Sequence, residues 1–349
     1  MLLPDWFDKG ETPVKVALIA AFVSLATSLI TVAHSLFGAP LKYWLEKQAL
    51  RNKLATEYEY EQRKNLRELI GKYQGRMLEA AESLSHRMWN LYANQGRGWL
   101  DAHGKYSDCG YYLPSFVYRF LNFYTLARGF ESEAILIDSH IAEDKDLDFV
   151  KFVKAFHWAI CDVALFSNVG YDDKFSVDHF FRDLIREICD SCMQEGKFLR
   201  HEELRSVLLN TEEFGVVFRF FDGLKKNEPR LRWDRLVVVH LLLLAFINSF
   251  GYDMQQSTPM QFIDVVLQAN EPQILKNLAV WLPKLGLHRN KPVKLILSAV
   301  NAPLGRRDLS DISGSWADDP DFEAAIMEQE TVHKPGESQN PHGAQEVED

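Results

Sequence analysis

The chain has 349 residues, of which 47% are hydrophobic and 25% charged, with 23 Phe, 12 Tyr and 8 Trp; this excludes a collagen-like or wholly disordered polymer and supplies apolar area for a substantial core. Four cysteines are too few for a disulfide scaffold, and their spacing completes no zinc site. The formal charge of −10 is unevenly spread: residues 308–349 hold twelve acids against Lys334, whereas residues 1–307 sum to +1, so the folded part lacks the basic stripe that nucleic acid requires.

Residues 1–13 read as a short leader. From Val16 to Ala33 eighteen residues carry neither charge nor proline, and the uncharged run continues through His34 to Leu41. At about 1.5 Å per residue, a helix of this length covers roughly 27–33 Å, the thickness of a hydrocarbon core. A transmembrane helix is therefore expected over 14–40. Trp6 on one side and Tyr43 and Trp44 on the other are placed as interfacial aromatics, with His34 hydrated near the headgroups. The acidic leader (Asp5, Asp8, Glu11) and the length of the run argue against a cleaved signal peptide. Lys42, Lys47, Arg51 and Lys53 follow the span, against Lys9 and Lys15 before it. This predicts a single pass through the inner (plasma) membrane, the N-terminus outside and the remainder cytoplasmic.

Residues 41–95 read as a long juxtamembrane helix. Leu66, Ile70, Tyr73, Met77, Ala81, Leu84, Met88 and Leu91 recur every three or four positions and form one apolar stripe. Its partner is either the later helices of the same chain or the same helix in a second copy; Gly71 and Gly75 interrupt a coiled-coil seam and favour the former. A helical cytoplasmic domain is expected over 96–302. Gly96, Gly98 and Gly104 mark a loop, after which Phe116, Phe120, Phe123 and Ala127 line one face of a helix beginning near Pro114.

A further helix is expected from Leu147 to Phe166. Ser176 or Asp178 is placed to cap the next, which carries Phe181, Leu184, Ile188 and Cys192 inward. Later helices are read at 202–210, 212–226, 235–250, 259–269 and 272–285, with Thr258–Pro259 and Asn270 before Pro272 as start signals. The run Leu236–Phe250 is too short to span comfortably, is flanked by Asp234, Arg235 and Asp253, and reads as a buried central helix. Val293–Leu297 is the one weak strand candidate, so the fold class is all-α. Residues 303–349 read as a flexible acidic tail.

Candidate chemistry is sparse. Cys189-x-x-Cys192 lies within an amphipathic helix and not at a strand-to-helix turn, which argues for packing over redox work. Ser191–Glu202 has the glycine and final glutamate of a calcium loop, but Ser191 and Met193 stand where charged oxygen donors belong. Asp138, Glu143 and Lys145 carry the residue types of a metal-dependent nuclease without its strand scaffold. No catalytic residue, metal ligand or cofactor is assigned. The clearest short signal is Ser313–Phe322 (SGSWADDPDF), where Trp316 and Phe322 flank Asp318 and Asp319 in an arrangement suited either to docking on a partner or to capping the protein's own body.

That segment resembles the W-x-D-D-P-x-F stretch in the tails of some small bacterial antitoxins. Tyr112–Asp138 is similar to an aromatic-rich helix in uncharacterised bacterial proteins with one N-terminal span and a helical cytosolic part, which implies the same architecture. The expected function is a non-enzymatic, membrane-anchored cytoplasmic scaffold or sensor that binds a protein partner, the juxtamembrane helix offering a route to a homo-oligomer. The alternatives are a membrane-associated effector in bacterial stress or phage defence, and a metal-dependent nuclease or hydrolase.

Overall fold

The computed structural model describes residues 12–106, 109–135, 137–138, 142–171, 178–194, 197–198, 200, 203 and 214–302. Two units are distinguished, Met1–Asn65 and Leu66–Asp349, and helix α1 (Thr12–Ala93) runs through their boundary.

In the first unit, Thr12–Ser35 is a helix of 24 residues, long and apolar enough to cross a membrane, and none of its apolar window is buried within the protein. Phe22 and Ile30 are among its most exposed side chains. Four of its hydroxyls bond to the helix's own carbonyls. Thr27 donates to the Val23 carbonyl at 2.6 Å, Ser28 to Ser24 at 2.9 Å, Thr31 to Thr27 at 2.8 Å and Ser35 to Val32 at 2.9 Å. These bonds hide the polar atoms that would be costly in hydrocarbon. His34, Tyr43 and Trp44 are all exposed, whereas Trp6 lies outside the described residues. Beyond them the surface is laced by i,i+4 ion pairs, Lys42–Glu46 at 3.9 Å, Lys53–Glu57 at 3.7 Å and Glu59–Arg63 at 3.7 Å.

In the second unit, the α1 stripe from Leu66 to Leu91 is buried against the unit's own helices. Around it stand α2 (Tyr112–Ala134), α3 (Asp144–Cys161), α4 (Arg182–Ser191), α5 (Gly215–Phe221), α6 (Arg232–Phe250), α7 (Pro259–Val266), α8 (Pro272–Lys284) and α9 (Lys291–Asn301). The described chain is helical apart from a two-residue ladder pairing Met193 with Phe198. Helix α6 is enclosed nearly all round, which matches its continuous apolar sequence. It packs on α3, α7, α8 and α9.

Aromatic residues weld the layers. Phe246 on α6 meets Phe149, Phe152 and Phe156 of α3 with ring centroids at 5.5, 5.8 and 5.7 Å. Phe123 of α2 meets Phe156 edge-on at 4.6 Å. Nearer the start of α2, on the same face, Phe116 and Phe120 lie 4.6 and 5.3 Å from Phe221 of α5. Each buried Phe contributes about 1.5–3 kcal/mol of transfer free energy. Where α1 crosses α2 there is room only for glycine: a Cβ on Gly129 would sit 2.9 Å from the Tyr73 hydroxyl, which itself bonds Glu133 at 2.6 Å.

Several expectations change. Val293–Leu297 is helical, inside α9, because Asn290 caps that helix by accepting from the Val293 N–H at 3.2 Å with Pro292 in the first turn. Asp178 caps no helix; its buried carboxylate takes the Arg230 Nε–H at 2.7 Å and the Leu231 N–H at 3.0 Å. Phe181 therefore stands at the N-cap of α4 and is exposed, and the inward stripe is Ile185, Ile188, Cys189 and Cys192. Helix α3 stops at Cys161 because Asp162 opens a 3-10 turn, accepting from Ala164 N–H at 2.8 Å. Glu271, and not Asn270, caps α8. The helix read at 202–210 lies almost wholly outside the described residues, as does the tail.

The first turn of α6 departs most from expectation. Asp234 and Arg235 read as a charged flank, yet both are buried, as are Arg232 and Trp233 beside them. Arg232 pairs with Glu228 at 2.8 Å and donates to the Phe220 carbonyl at 2.7 Å. Asp234 accepts from the N–H groups of Asn270 at 2.6 Å and Glu271 at 2.9 Å. Arg235 donates to the carbonyls of Asp178 at 2.8 Å, Asp162 at 3.1 Å and Ala159, with its guanidinium 4.2 Å above the Phe166 ring. This turn ties together the end of α3, Asp178, the end of α5 with Glu228, and the Asn270–Glu271 turn.

Candidate functional site

On α1, Ser83, His86, Arg87 and Asn90 share the face opposite the buried stripe, at the i, i+3, i+4 and i+7 spacing of one helix side. The chain then turns through Gly98, whose φ of 62° and whose contact with Asp101 leave no space for a side chain. Asp222, just past α5, fixes this loop: its carboxylate accepts from the N–H groups of Ala102 at 2.9 Å, His103 at 3.0 Å and Gly104 at 2.8 Å. Trp99 is thereby presented beside the start of α2, and its ring lies 5.0 Å from that of Tyr112.

Together these elements border a cleft of about 380 Å³, lined on the α2 side by Tyr111, Tyr112 and Arg119, with an adjoining hollow of about 640 Å³ toward Asp101 and Lys105. At its base Ser115 is fully buried. Two guanidinium groups converge on its hydroxyl: Arg87 Nη2 donates at 2.9 Å, and Arg119 Nη1 donates to the same Oγ and to the Ser115 carbonyl at 3.1 Å. Arg87 also lies 4.4 Å over the Tyr112 ring, and Arg97 lies 5.2 Å over Trp99. Tyr112 is oriented by donating to Asn90 Oδ1 at 2.9 Å.

Among the described residues neither Arg87 nor Arg119 has a carboxylate partner, and no acid lines the smaller cleft. Bonding to Ser115 and Arg119, reinforced by both guanidinium charges, holds the Tyr111 phenol below its ordinary value. Burial works the other way on Tyr112, raising it against the pull of Arg87. Two forked cations aimed at one neutral oxygen, beside exposed aromatic faces, can hold a carboxylate or phosphoryl group attached to a planar or apolar neighbour.

The residues singled out from sequence are dispersed. The pair Cys189 and Cys192 is buried and reduced, and burial pushes the Cys189 thiol well up, the opposite of what a redox thiolate needs. Glu143 is engaged with Arg67, which also bonds Asp146 at 3.0 Å, so the proposed nuclease acid already has a cation. No group of three or more His, Cys, Asp or Glu side chains suited to a metal ion occurs among the described residues. Trp316, Asp318, Asp319 and Phe322, and most of Glu195–Glu202, lie outside the described residues.

A second polar cluster went unread. His240, fully buried in α6, is 2.9 Å from Ser85 Oγ through Nε2 and 3.2 Å from the Tyr92 hydroxyl through Nδ1. The Ser–His–Tyr set has the spacing of an activated nucleophile, but its serine and histidine are buried and only Tyr92 is partly exposed. Burial lowers His240 to about 3. Above the ordinary value near 6.5 its contribution to stability is complete; below it the unfolded chain takes up a proton that the folded chain refuses until about pH 3, so stability falls by about tenfold in the folding ratio per pH unit. Between pH 7.5 and pH 5, His240→Gln should therefore lose about 2 kcal/mol less stability than the parent chain in denaturant melts. Equal losses would show that His240 is protonated in the folded state.

Compared with known proteins, the chain matches no family model, no curated protein and no solved structure.

Proposed function

We propose that this protein is a membrane-anchored, non-enzymatic binding module that presents its helical unit at the cytoplasmic face, where the Arg87–Arg119 cleft receives an acidic, aromatic-bearing segment of a protein partner. The observation that carries this reading is the convergence of two guanidiniums without carboxylates on the buried Ser115, between Trp99, Tyr111 and Tyr112. Charge-assisted bonds from a guanidinium are worth about 1.5–3 kcal/mol, and stacking on exposed rings adds specificity for an aromatic neighbour. The anchor is supported by the apolar Thr12–Ser35 helix, and the side of the membrane by the Lys and Arg residues that follow it.

The test is fluorescence anisotropy of a labelled acidic peptide containing one tryptophan, titrated with the full chain in nanodiscs. Binding should saturate, weaken as ionic strength rises, and weaken by about tenfold or more in the Arg87→Ala/Arg119→Ala variant. Equal binding by parent and variant would remove the cleft from the function.

A further inference from the structure

We propose that the resident occupant of this cleft is the chain's own acidic segment Ser313–Phe322, with Asp318 and Asp319 on the Arg87 and Arg119 guanidiniums and the Trp316 indole against Trp99 and Tyr111. The inference rests on the receptor reading above and names its ligand within the same polypeptide.

Charge complementarity is the first argument. Residues 308–322 hold five acids and no base, in a chain whose residues 1–307 are near neutral; the cleft offers two cations that no described carboxylate engages. Spacing is the second. Both guanidiniums reach a single hydroxyl oxygen, so their free edges are only a few ångströms apart, and adjacent aspartates supply two carboxylates on that scale. The third is shape. Trp99 is 43% and Tyr111 60% exposed, so the cleft is an open furrow with aromatic walls, suited to an extended strand bearing an indole more than to an enclosed small ligand.

Thirteen residues lie between Ala302 and Trp316, a contour of about 46–50 Å, which reaches about two thirds of the way round to the far side of a compact unit about 45 Å across. Tethering raises the local concentration of the segment to the millimolar range, so a weak contact is populated, and a partner segment binds by displacing it.

The test uses the full chain in nanodiscs with a benzophenone amino acid at Ala317, which leaves Trp316 in place. Illumination should give an adduct within one chain, mapped by mass spectrometry to the segment 83–119. Asp318→Asn/Asp319→Asn should cut the yield by about tenfold while the thermal transition of the helical unit stays in place. Arg87→Glu/Arg119→Glu should do the same, and adding Asp318→Lys/Asp319→Lys to it should restore the adduct. An adduct elsewhere, an adduct joining two chains, or a yield indifferent to Asp318 and Asp319 would each overturn self-occupancy. So would a yield abolished by added inorganic phosphate yet unmoved by the aspartate variants, which would assign the furrow to a small anion. If self-occupancy fails while the labelled acidic peptide still binds through Arg87 and Arg119, the receptor reading stands; if the peptide fails too, both fall.

Discussion

Replacing Arg235 by methionine should destabilise the folded protein by about 4 kcal/mol, more than most single substitutions achieve. Its guanidinium is wholly buried and has carbonyl groups, and not carboxylates, as its partners: those of Asp178, Asp162 and Ala159. Burial lowers it to about 10, which leaves it charged at neutral pH. Methionine fills much of the volume but strands three carbonyls, each at about 1–3 kcal/mol, a cost partly offset because a buried charge is also removed. Lysine, a single point donor, cannot reach three divergent oxygens, so Arg235→Lys should recover less than half of the loss. Urea melts of the full chain in detergent decide this. A methionine variant within 1 kcal/mol of the parent would mean that solvent takes over the stranded carbonyls, and the stapling account would fail.

The second large effect concerns the anchor. Deleting residues 12–35 should move the protein from the membrane pellet to the supernatant on fractionation without detergent, while the thermal transition of the helical unit stays in place. Among the described residues two helices are apolar enough to cross a bilayer, and burial separates them: 89% of the apolar window in α6 is enclosed by protein, against 0% in Thr12–Ser35. About 24 residues at 1.5 Å each give roughly 36 Å of helix, enough for a hydrocarbon core with some tilt. A full-length chain that already stays in the supernatant would sink the anchor, and labelling of the exposed Lys154 by an impermeant reagent on intact cells would reverse its orientation.

Much of the fold is written in periodicity, and little of the cleft is. The α1 stripe from Leu66 to Leu91, the aromatic face of α2 and the apolar run of α6 each announce a buried surface because hydrophobic spacing and burial share one cause. Val293–Leu297 misled because a short apolar run lacks a period of its own, and Asn290 with Pro292 was the stronger signal. The end of α3 at Cys161 has no glycine or proline to mark it. Asp234 and Arg235 misled for a different reason: charge at a helix start reads as solvent contact, and only the arrival of distant loops makes burial affordable.

The cleft was hidden by the same rule. Arg87 and Arg119 lie thirty-two positions apart on faces that read as solvated, and nothing local tells that both meet Ser115. The tandem Tyr111–Tyr112 beside Gly110 marks the place only in retrospect, since adjacent aromatics elsewhere in the chain, Phe123–Tyr124 and Phe220–Phe221, are both buried, whereas Tyr111 is turned outward. His240 was visible as a polar residue in an apolar run, and its partners Ser85 and Tyr92 only after α1 and α6 are brought together.

The grip of Asp222 on the loop at Ala102–Gly104 gives the furrow two walls of different mechanical character. The wall carrying Arg87 and Arg119 is made of long helices locked into the aromatic layers, whereas the wall carrying Trp99 is hinged at Gly98 and moored to the end of a seven-residue helix. The short helix α5 thus touches both walls, the loop that carries Trp99 through Asp222 and the helix that carries Arg119 through Phe221, so a change in its seating is felt on either side of the furrow.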